Sequence, residues 1–132
     1  MTAIQSIVVL CYAAAIAALV YAVVRRTRIG SPVIAWALFA AFTAFSLLSV
    51  ARDGIMMFWT NHTANLVGVQ VWWDLLLAVV IAFIFIAPRA RAVGMNIPLW
   101  AVLVATTASI GLLPMVARLF TLERAREGQE AG

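Results

Sequence analysis

The sequence predicts an all-α, polytopic membrane protein with four transmembrane helices, and three observations lead to this fold class. Hydrophobic residues make up 66% of the 132 positions, against roughly 45–50% in a typical soluble domain. They fall into long runs, and a helix needs about 20 such residues to cross a bilayer core of about 30 Å. Arginines stand in the connections between the runs. We therefore expect one transmembrane domain over 1–132, with spans at about 4–24, 32–50, 69–87 and 97–117.

The second span carries more polarity than the first. Ser31 followed by Pro32 has the order of an N-cap and a first helical residue, so a helix is expected to begin there. Thr43, Ser46 and Ser49 then recur at i, i+3 and i+6. Such hydroxyls bond back to their own helix or across to a neighbour. We interpret this hydroxyl stripe as a face packed against protein, with a polar conduit as the alternative.

The connection at 51–68 is predicted to hold an interfacial segment between helices 2 and 3. Its run 55–59 is apolar and aromatic but too short to span, so it should lie at the membrane interface or pack across the bundle end. The polar run 60–65 is expected to form turns. Four residues of this segment are candidate contacts for a partner chain or for lipid: Met56, Met57, Phe58 and Trp59.

The third span opens with two tryptophans and an acid. Trp72 and Trp73 are candidate interface or lipid contacts, because tryptophans are enriched at the headgroup level. Asp74 is the only acidic residue inside a predicted span, and intramembrane acids are often functional, so it is the candidate functional acid. The alternative is a structural role, in which Asp74 reaches interfacial water or pairs with Arg52. Pro88 is expected to end this helix.

The last span is expected to kink near its end. Pro114 leaves the carbonyl of Ile110 without its helical donor, which favours a kink at that point. Asn96 is the expected N-cap of this span. Beyond it, residues 118–127 are expected to continue as an amphipathic tail.

The arginines predict the topology. All nine basic residues of the chain are arginine, and cytoplasmic connections carry the excess of basic residues. With four spans, the first and third connections share one side of the membrane and would be cytoplasmic, and both termini would be periplasmic. The alanine-rich, lysine-free composition suggests a bacterial inner membrane. The topology determinants are Arg25, Arg26, Arg28, Arg89 and Arg91.

No pattern in the sequence predicts catalysis, so the chain is expected not to be an enzyme. His62 is the only histidine and Cys11 the only cysteine, so this chain alone does not supply the ligands of a zinc, iron–sulfur or bis-histidine haem site. We assign no catalytic or metal-binding residue and expect no covalently bound cofactor. Bound lipids are expected, whereas contact with a pigment or quinone stays open. The net charge of +4 is attributed to lipid headgroups rather than to nucleic acid.

One resemblance concerns the C-terminal half. Asp74 opens a helix, a basic connection follows at 88–95, and the last span ends at Leu113 and Pro114. In this order of features the chain resembles a small bacterial inner-membrane family of unknown function. Where many members carry an acid before the basic connection, this chain has Ala87. The resemblance implies a membrane location and no particular activity, so no functional residue is carried over.

These observations favour a non-catalytic accessory or scaffold subunit of a larger inner-membrane complex, such as respiratory, photosynthetic or transport machinery. Its partners would be other membrane subunits or further copies of itself, together with membrane lipids. Two alternatives stay open. The chain could be a small homo-oligomeric transporter or channel, with Asp74 and the hydroxyl stripe lining the path. It could instead handle a lipid or isoprenoid in a groove beside Met56 to Trp59.

Overall fold

The computed structural model describes residues 2–24 and 30–130, which form six helices and confirm the all-α class. Three of them, the first, second and fourth, are long and apolar enough to cross a membrane. The chain divides into two units, Met1–Gly30 and Ser31–Gly132. The helices are α1 (Ala3–Val24), α2 (Pro32–Asp53), α3 (Met56–Thr63), α4 (Leu66–Ala92), α5 (Ile97–Thr107) and α6 (Ser109–Glu130).

The first unit contains α1, which matches the span predicted at 4–24. Its start is a capping box, a pair of reciprocal bonds that satisfies backbone donors without helical partners. The Gln5 N–H donates to Thr2 Oγ1 at 3.3 Å, and the Thr2 N–H donates to Gln5 Oε1 at 2.8 Å. Three predicted topology determinants lie outside the described residues: Arg25, Arg26 and Arg28.

The second unit begins with α2, whose predicted start is confirmed. Ser31 is the N-cap, and its hydroxyl accepts a hydrogen bond from the Ile34 N–H at 3.4 Å. The helix runs to Asp53, about one turn beyond the predicted end at 50. It ends where Gly54 takes a positive φ of 81° and donates its N–H to the Val50 carbonyl at 2.9 Å. Glycine suits this position because it lacks the Cβ that opposes a positive φ.

The polar run 60–65 differs from its prediction, because its first part is helical. The hydroxyls of Thr60 and Thr63 donate to carbonyls one turn earlier in α3, at 3.1 and 2.8 Å. These local bonds satisfy the polar side chains inside the helix. α3 also packs closely on the start of α4 at Gly68, where a Cβ would lie only 2.8 Å from the Asn61 carbonyl oxygen.

The prediction that Pro88 ends the third span is wrong, because α4 continues through Pro88 to Ala92. Proline removes one helical hydrogen bond. Contacts made by the residues after Pro88 compensate for this loss and keep the last turn helical. Ala90 is fully buried, and the Arg126 guanidinium donates to the Ala92 carbonyl.

The end of α4 is a Schellman motif around Gly94. This glycine has a φ of +79°. Its N–H donates to the Arg91 carbonyl at 2.9 Å, and the Met95 N–H donates to the Ala90 carbonyl at 2.9 Å. These two bonds satisfy carbonyls that a helix end leaves without partners.

The predicted fourth span, 97–117, is not one helix. It breaks at Ala108, whose φ of 49° and ψ of −118° reverse the chain between α5 and α6. The two helices then pack so tightly that a Cβ on Gly111 would lie 2.7 Å from the Leu103 carbonyl oxygen. The predicted kink at Pro114 is also displaced, because Pro114 lies inside α6. The break occurs instead at Ala108, and Gly111 lets the backbones of α5 and α6 approach each other just after it.

The core of the second unit lies where the second half of α4 meets α5 and α6. Met115 and Leu119 of α6 are its largest fully buried side chains. Around them pack other buried side chains of this cluster: Val79, Ala87, Ala90, Met95, Ile97 and Val104.

The contacts of α6 bring three segments to one end of the second unit. Arg89 and Ala92 of α4 contact Glu123 and Arg126, respectively, so α4 and α6 run in the same direction. Near the start of α2, the Trp36 Nε1–H donates to the Thr121 hydroxyl at 3.4 Å. The predicted tail 118–127, which is part of α6, therefore lies beside the α4–α5 connection. A four-span arrangement would place the two on opposite sides.

Candidate functional site

The candidate site is a cavity of about 220 Å³ between the second half of α2 and α3. Because α2 ends at Asp53 and α3 starts at Met56, the two helices form the walls of one recess. Its lining combines aromatic rings with hydroxyl, amide, imidazole and carboxylate groups: Phe42, Phe45, Ser46, Ser49, Asp53, Gly54, Met57, Phe58, Asn61 and His62.

His62 is held in a defined orientation at this cavity. Its Nδ1 lies 2.6 Å from the Phe58 carbonyl oxygen, one turn earlier in α3. Because a carbonyl oxygen only accepts, Nδ1 carries the proton in this bond, and Nε2 of the neutral ring is an acceptor. The ring also packs on Trp72 of α4, with 5.2 Å between centroids. From the sequence His62 has no assigned role, because a lone histidine in a presumed turn carries no motif.

The hydroxyl stripe of α2 divides between the cavity and the packed face. Ser46 and Ser49 line the cavity and donate to the carbonyls of Phe42 and Phe45, at 2.8 and 3.0 Å. The Thr43 Oγ1 atom is buried and has no hydrogen-bond partner among the described residues. Of the two bonding modes expected for these hydroxyls, both serines show the bond back to their own helix.

The four predicted contact residues of the 55–59 run do not lie on one surface. Met57 and Phe58 line the cavity. Met56 and Trp59 point away from it, with exposed fractions of 68% and 66%. The alternation follows from helical geometry, since neighbours on α3 face different directions.

Asp74 lies on a different surface from the cavity. It is exposed on α4 and shares a groove with Trp73 and Leu77. Within the described ranges its carboxylate forms no hydrogen bond or ion pair, so the predicted pairing with Arg52 is not formed. Trp72, the other tryptophan at this position, turns toward His62. The structure therefore does not bring Asp74 and the hydroxyl stripe into a common cavity among the residues that it describes.

The two topology determinants within the described residues, Arg89 and Arg91, differ in their contacts. Arg89 forms a bidentate ion pair with Glu123, from Nε to Oε1 at 3.0 Å and from Nη2 to Oε2 at 2.7 Å. Its guanidinium carbon lies 5.7 Å from the centroid of the Phe120 ring. Arg91, two residues further on, is exposed. Arg89 thus fastens α6 to α4 in addition to placing positive charge at this end.

The donor groups of the chain do not converge on a metal-type site within the described residues. No three histidine, cysteine, aspartate or glutamate side chains there are arranged to hold a metal ion. Cys11 is exposed and unbonded on α1.

Comparison with known proteins gives no relative from which a role could be transferred. No family model matches the chain. No curated protein and no solved structure is significantly similar to it. The resemblance of the C-terminal half to a small inner-membrane family stays a prediction.

Proposed function

We propose that this chain is a non-catalytic accessory or scaffold subunit of a larger bacterial inner-membrane complex, such as respiratory, photosynthetic or transport machinery. The single observation that carries the proposal is Asp74, which is exposed on the apolar surface of α4 and has no ion-pair or hydrogen-bond partner in the described part of the chain. Ionisable groups in a bilayer are costly, and they normally pair with another polar group inside the protein. A partner chain is the source of that group.

The depth of Asp74 supports this argument. Asp74 and Arg89 are 15 positions apart in α4, which is about 22 Å along a helix. If Arg89 lies at one boundary of a hydrocarbon core of about 30 Å, Asp74 is about 8 Å inside the other boundary. A carboxylate at that depth is stabilised by a hydrogen-bond donor that lies closer to it than the water of the headgroup region does.

Within residues 2–24 and 30–130, no cation pairs with this carboxylate. α1 contains no basic residue. Arg52, in the last turn of α2, does not pair with Asp74. The groove that Asp74 lines on α4 is mostly apolar, with Trp73 and Leu77 in its wall, and Gln70 is its one uncharged polar residue. A helix from another membrane protein that carries a basic or hydrogen-bonding side chain would fit this surface.

Purification of the tagged protein in a mild detergent tests the proposal. We expect larger subunits to co-purify in a fixed ratio, and Asp74→Asn to lower their yield by about tenfold or more, because a buried charge pair loses one partner. Glu130→Gln, an equivalent change at the exposed end of α6, should leave the yield unchanged. Recovery of the tagged chain without any other subunit, or solute transport by the purified chain, would overturn the proposal.

The two alternative functions stay predictions. A transporter or channel needs a continuous polar path, and Asp74 lines a groove on α4 whereas Ser46 and Ser49 line the α2–α3 cavity. Lipid or isoprenoid handling is supported by that cavity, where Met57 and Phe58 contribute to the wall.

We also propose a topology with three crossing helices, in which α5 and α6 form a hairpin on the arginine side. Of the six arginines that the structure describes, five then belong to the end formed by the last turn of α4 and by α6 from Arg118 onward. The sixth, Arg52, belongs to the other end. The positive-inside rule makes the arginine-rich end cytoplasmic. This places the C-terminus in the cytoplasm, which differs from the sequence-based expectation, whereas a periplasmic N-terminus stays a prediction.

In this topology the far end of the second unit carries the interfacial segment. α3 has eight residues and is about 12 Å long, which is too short to cross the bilayer. Its exposed Met56 and Trp59 are side chains that insert readily into the headgroup region. We propose that α3 lies at the periplasmic interface.

A further inference from the structure

We infer that the cavity between α2 and α3 is a binding site for an organic ammonium group. This inference goes beyond the subunit role and does not depend on it, because the cavity and the Asp74 groove share no lining residue. Three properties of the lining lead to the same ligand chemistry, namely its charge, its aromatic rings and its hydrogen-bond acceptors.

The charge of the lining selects a cation. Asp53 is the one charged side chain among the residues that line the cavity, and its carboxylate has no ion pair in the described part of the chain. Arg52, its neighbour in sequence, does not contribute to the lining. An unpaired carboxylate beside a partly desolvated recess favours a positively charged ligand group.

The aromatic rings favour an organic cation over a strongly hydrated inorganic ion. Phe42, Phe45 and Phe58 contribute to the wall from two helices. The face of an aromatic ring attracts an ammonium group, and several rings around one site are the recurrent arrangement for quaternary ammonium ligands. Each ring is also partly exposed, between 42% and 52%, so a ligand can reach it.

The lining offers several hydrogen-bond acceptors, and Asn61 adds an amide that can both accept and donate. His62 uses Nδ1 on the Phe58 carbonyl, which leaves Nε2 as an acceptor in the neutral ring. Ser46 and Ser49 donate their protons to backbone carbonyls, so their oxygens keep lone pairs for a ligand. An alkylammonium N–H, or a hydroxyl on the same ligand, can donate to these imidazole and serine acceptors.

The size of the cavity limits the ligand to a small head group. Its volume of about 220 Å³ is below the roughly 300–1,000 Å³ of sites that enclose drug-sized molecules. The source of the ammonium group is therefore either a free organic cation or the headgroup of a phosphatidylethanolamine molecule whose chains remain in the bilayer.

A titration with tetraethylammonium chloride tests the inference. The full-length protein is placed in lipid nanodiscs of phosphatidylglycerol, and tryptophan fluorescence is followed because Trp72 contacts His62. We expect a saturable change that equal concentrations of sodium chloride do not produce. Asp53→Asn should weaken the apparent affinity about tenfold, and Phe58→Leu should weaken it by about threefold to tenfold, as expected for one carboxylate and one ring.

Glu130→Gln is the control variant, because Glu130 is an exposed acid at the end of α6, and its affinity should equal that of the native chain. Absence of a saturable change, or equal affinity in Asp53→Asn and the native chain, would overturn the inference. If Asp53→Asn does not fold, Phe45→Leu and Phe58→Leu keep the charge intact and still test the ring contribution.

The lipid composition separates the two sources of ligand. If the lipid headgroup is the natural occupant, replacing one part of the phosphatidylglycerol with phosphatidylethanolamine should raise the apparent Kd for tetraethylammonium. If a free cation is the occupant, the Kd should not change. Both outcomes support an ammonium site and differ only in its source.

Discussion

At the scale of single residues, local signals could be predicted and distant partners could not. The caps at Ser31 and Asn96 follow from sequence, because each side chain accepts a bond from a backbone N–H three residues later. The role of Arg89 does not, since its partner Glu123 is 34 positions away. The contact of His62 with Trp72 was likewise missed, because Trp72 belongs to another helix.

The Arg89–Glu123 pair provides a prediction for a double-mutant cycle. The Glu123 side chain is 12% exposed and that of Arg89 is 43% exposed, so solvent screens the pair only in part. We expect Arg89→Gln, Glu123→Gln and the double variant to reveal a coupling of about 1 kcal/mol in the free energy of unfolding. The measurement is denaturation in mixed micelles, followed by circular dichroism. Strictly additive effects of the two substitutions would show that the contact adds no stability.

At the scale of helices, the sequence predicts the existence of the apolar segments better than their ends. The starts of α1 and α2 are close to the predicted limits, since capping residues mark them. Pro88 was misjudged because tertiary contacts of the last turn of α4 compensate for one missing hydrogen bond. The reversal at Ala108 was missed because alanine rarely adopts a positive φ, so nothing in the sequence marks a turn there.

The close packing of α5 on α6 predicts that adding one methyl group at Gly111 destabilises the protein, whereas the same change at an open position of α6 does not. At Gly111 a Cβ would lie 2.7 and 2.8 Å from the oxygen and carbon of the Leu103 carbonyl. Gly111→Ala must therefore push α5 and α6 apart, and we expect a loss of about 1–3 kcal/mol in the free energy of unfolding.

Gly128→Ala is the matched control for this prediction, because a Cβ there meets no atom within 4 Å in the exposed end of α6. This change should stabilise the helix by up to about 1 kcal/mol. Thermal unfolding in detergent measures both variants. Equal behaviour of the two would contradict the close packing of the hairpin.

At the scale of the whole chain, composition was enough to predict a helical membrane protein but not its topology. The three long apolar helices agree with that class. With four spans, five arginines fall on one side of the membrane and four on the other, because the sequence does not show that 97–117 reverses at Ala108. With the hairpin, the arginines of α6 join those at the end of α4. The far end instead carries α3 and the cavity with Asp53.

The most direct test of this arrangement is the accessibility of single cysteines to a membrane-impermeant maleimide. In a Cys11→Ser background, Ala64→Cys places a thiol at the end of α3, and Glu130→Cys places one at the end of α6. In intact spheroplasts we expect Ala64→Cys to be labelled and Glu130→Cys to be labelled only after lysis. Labelling of both positions in intact spheroplasts, as four crossing helices would require, would contradict the account.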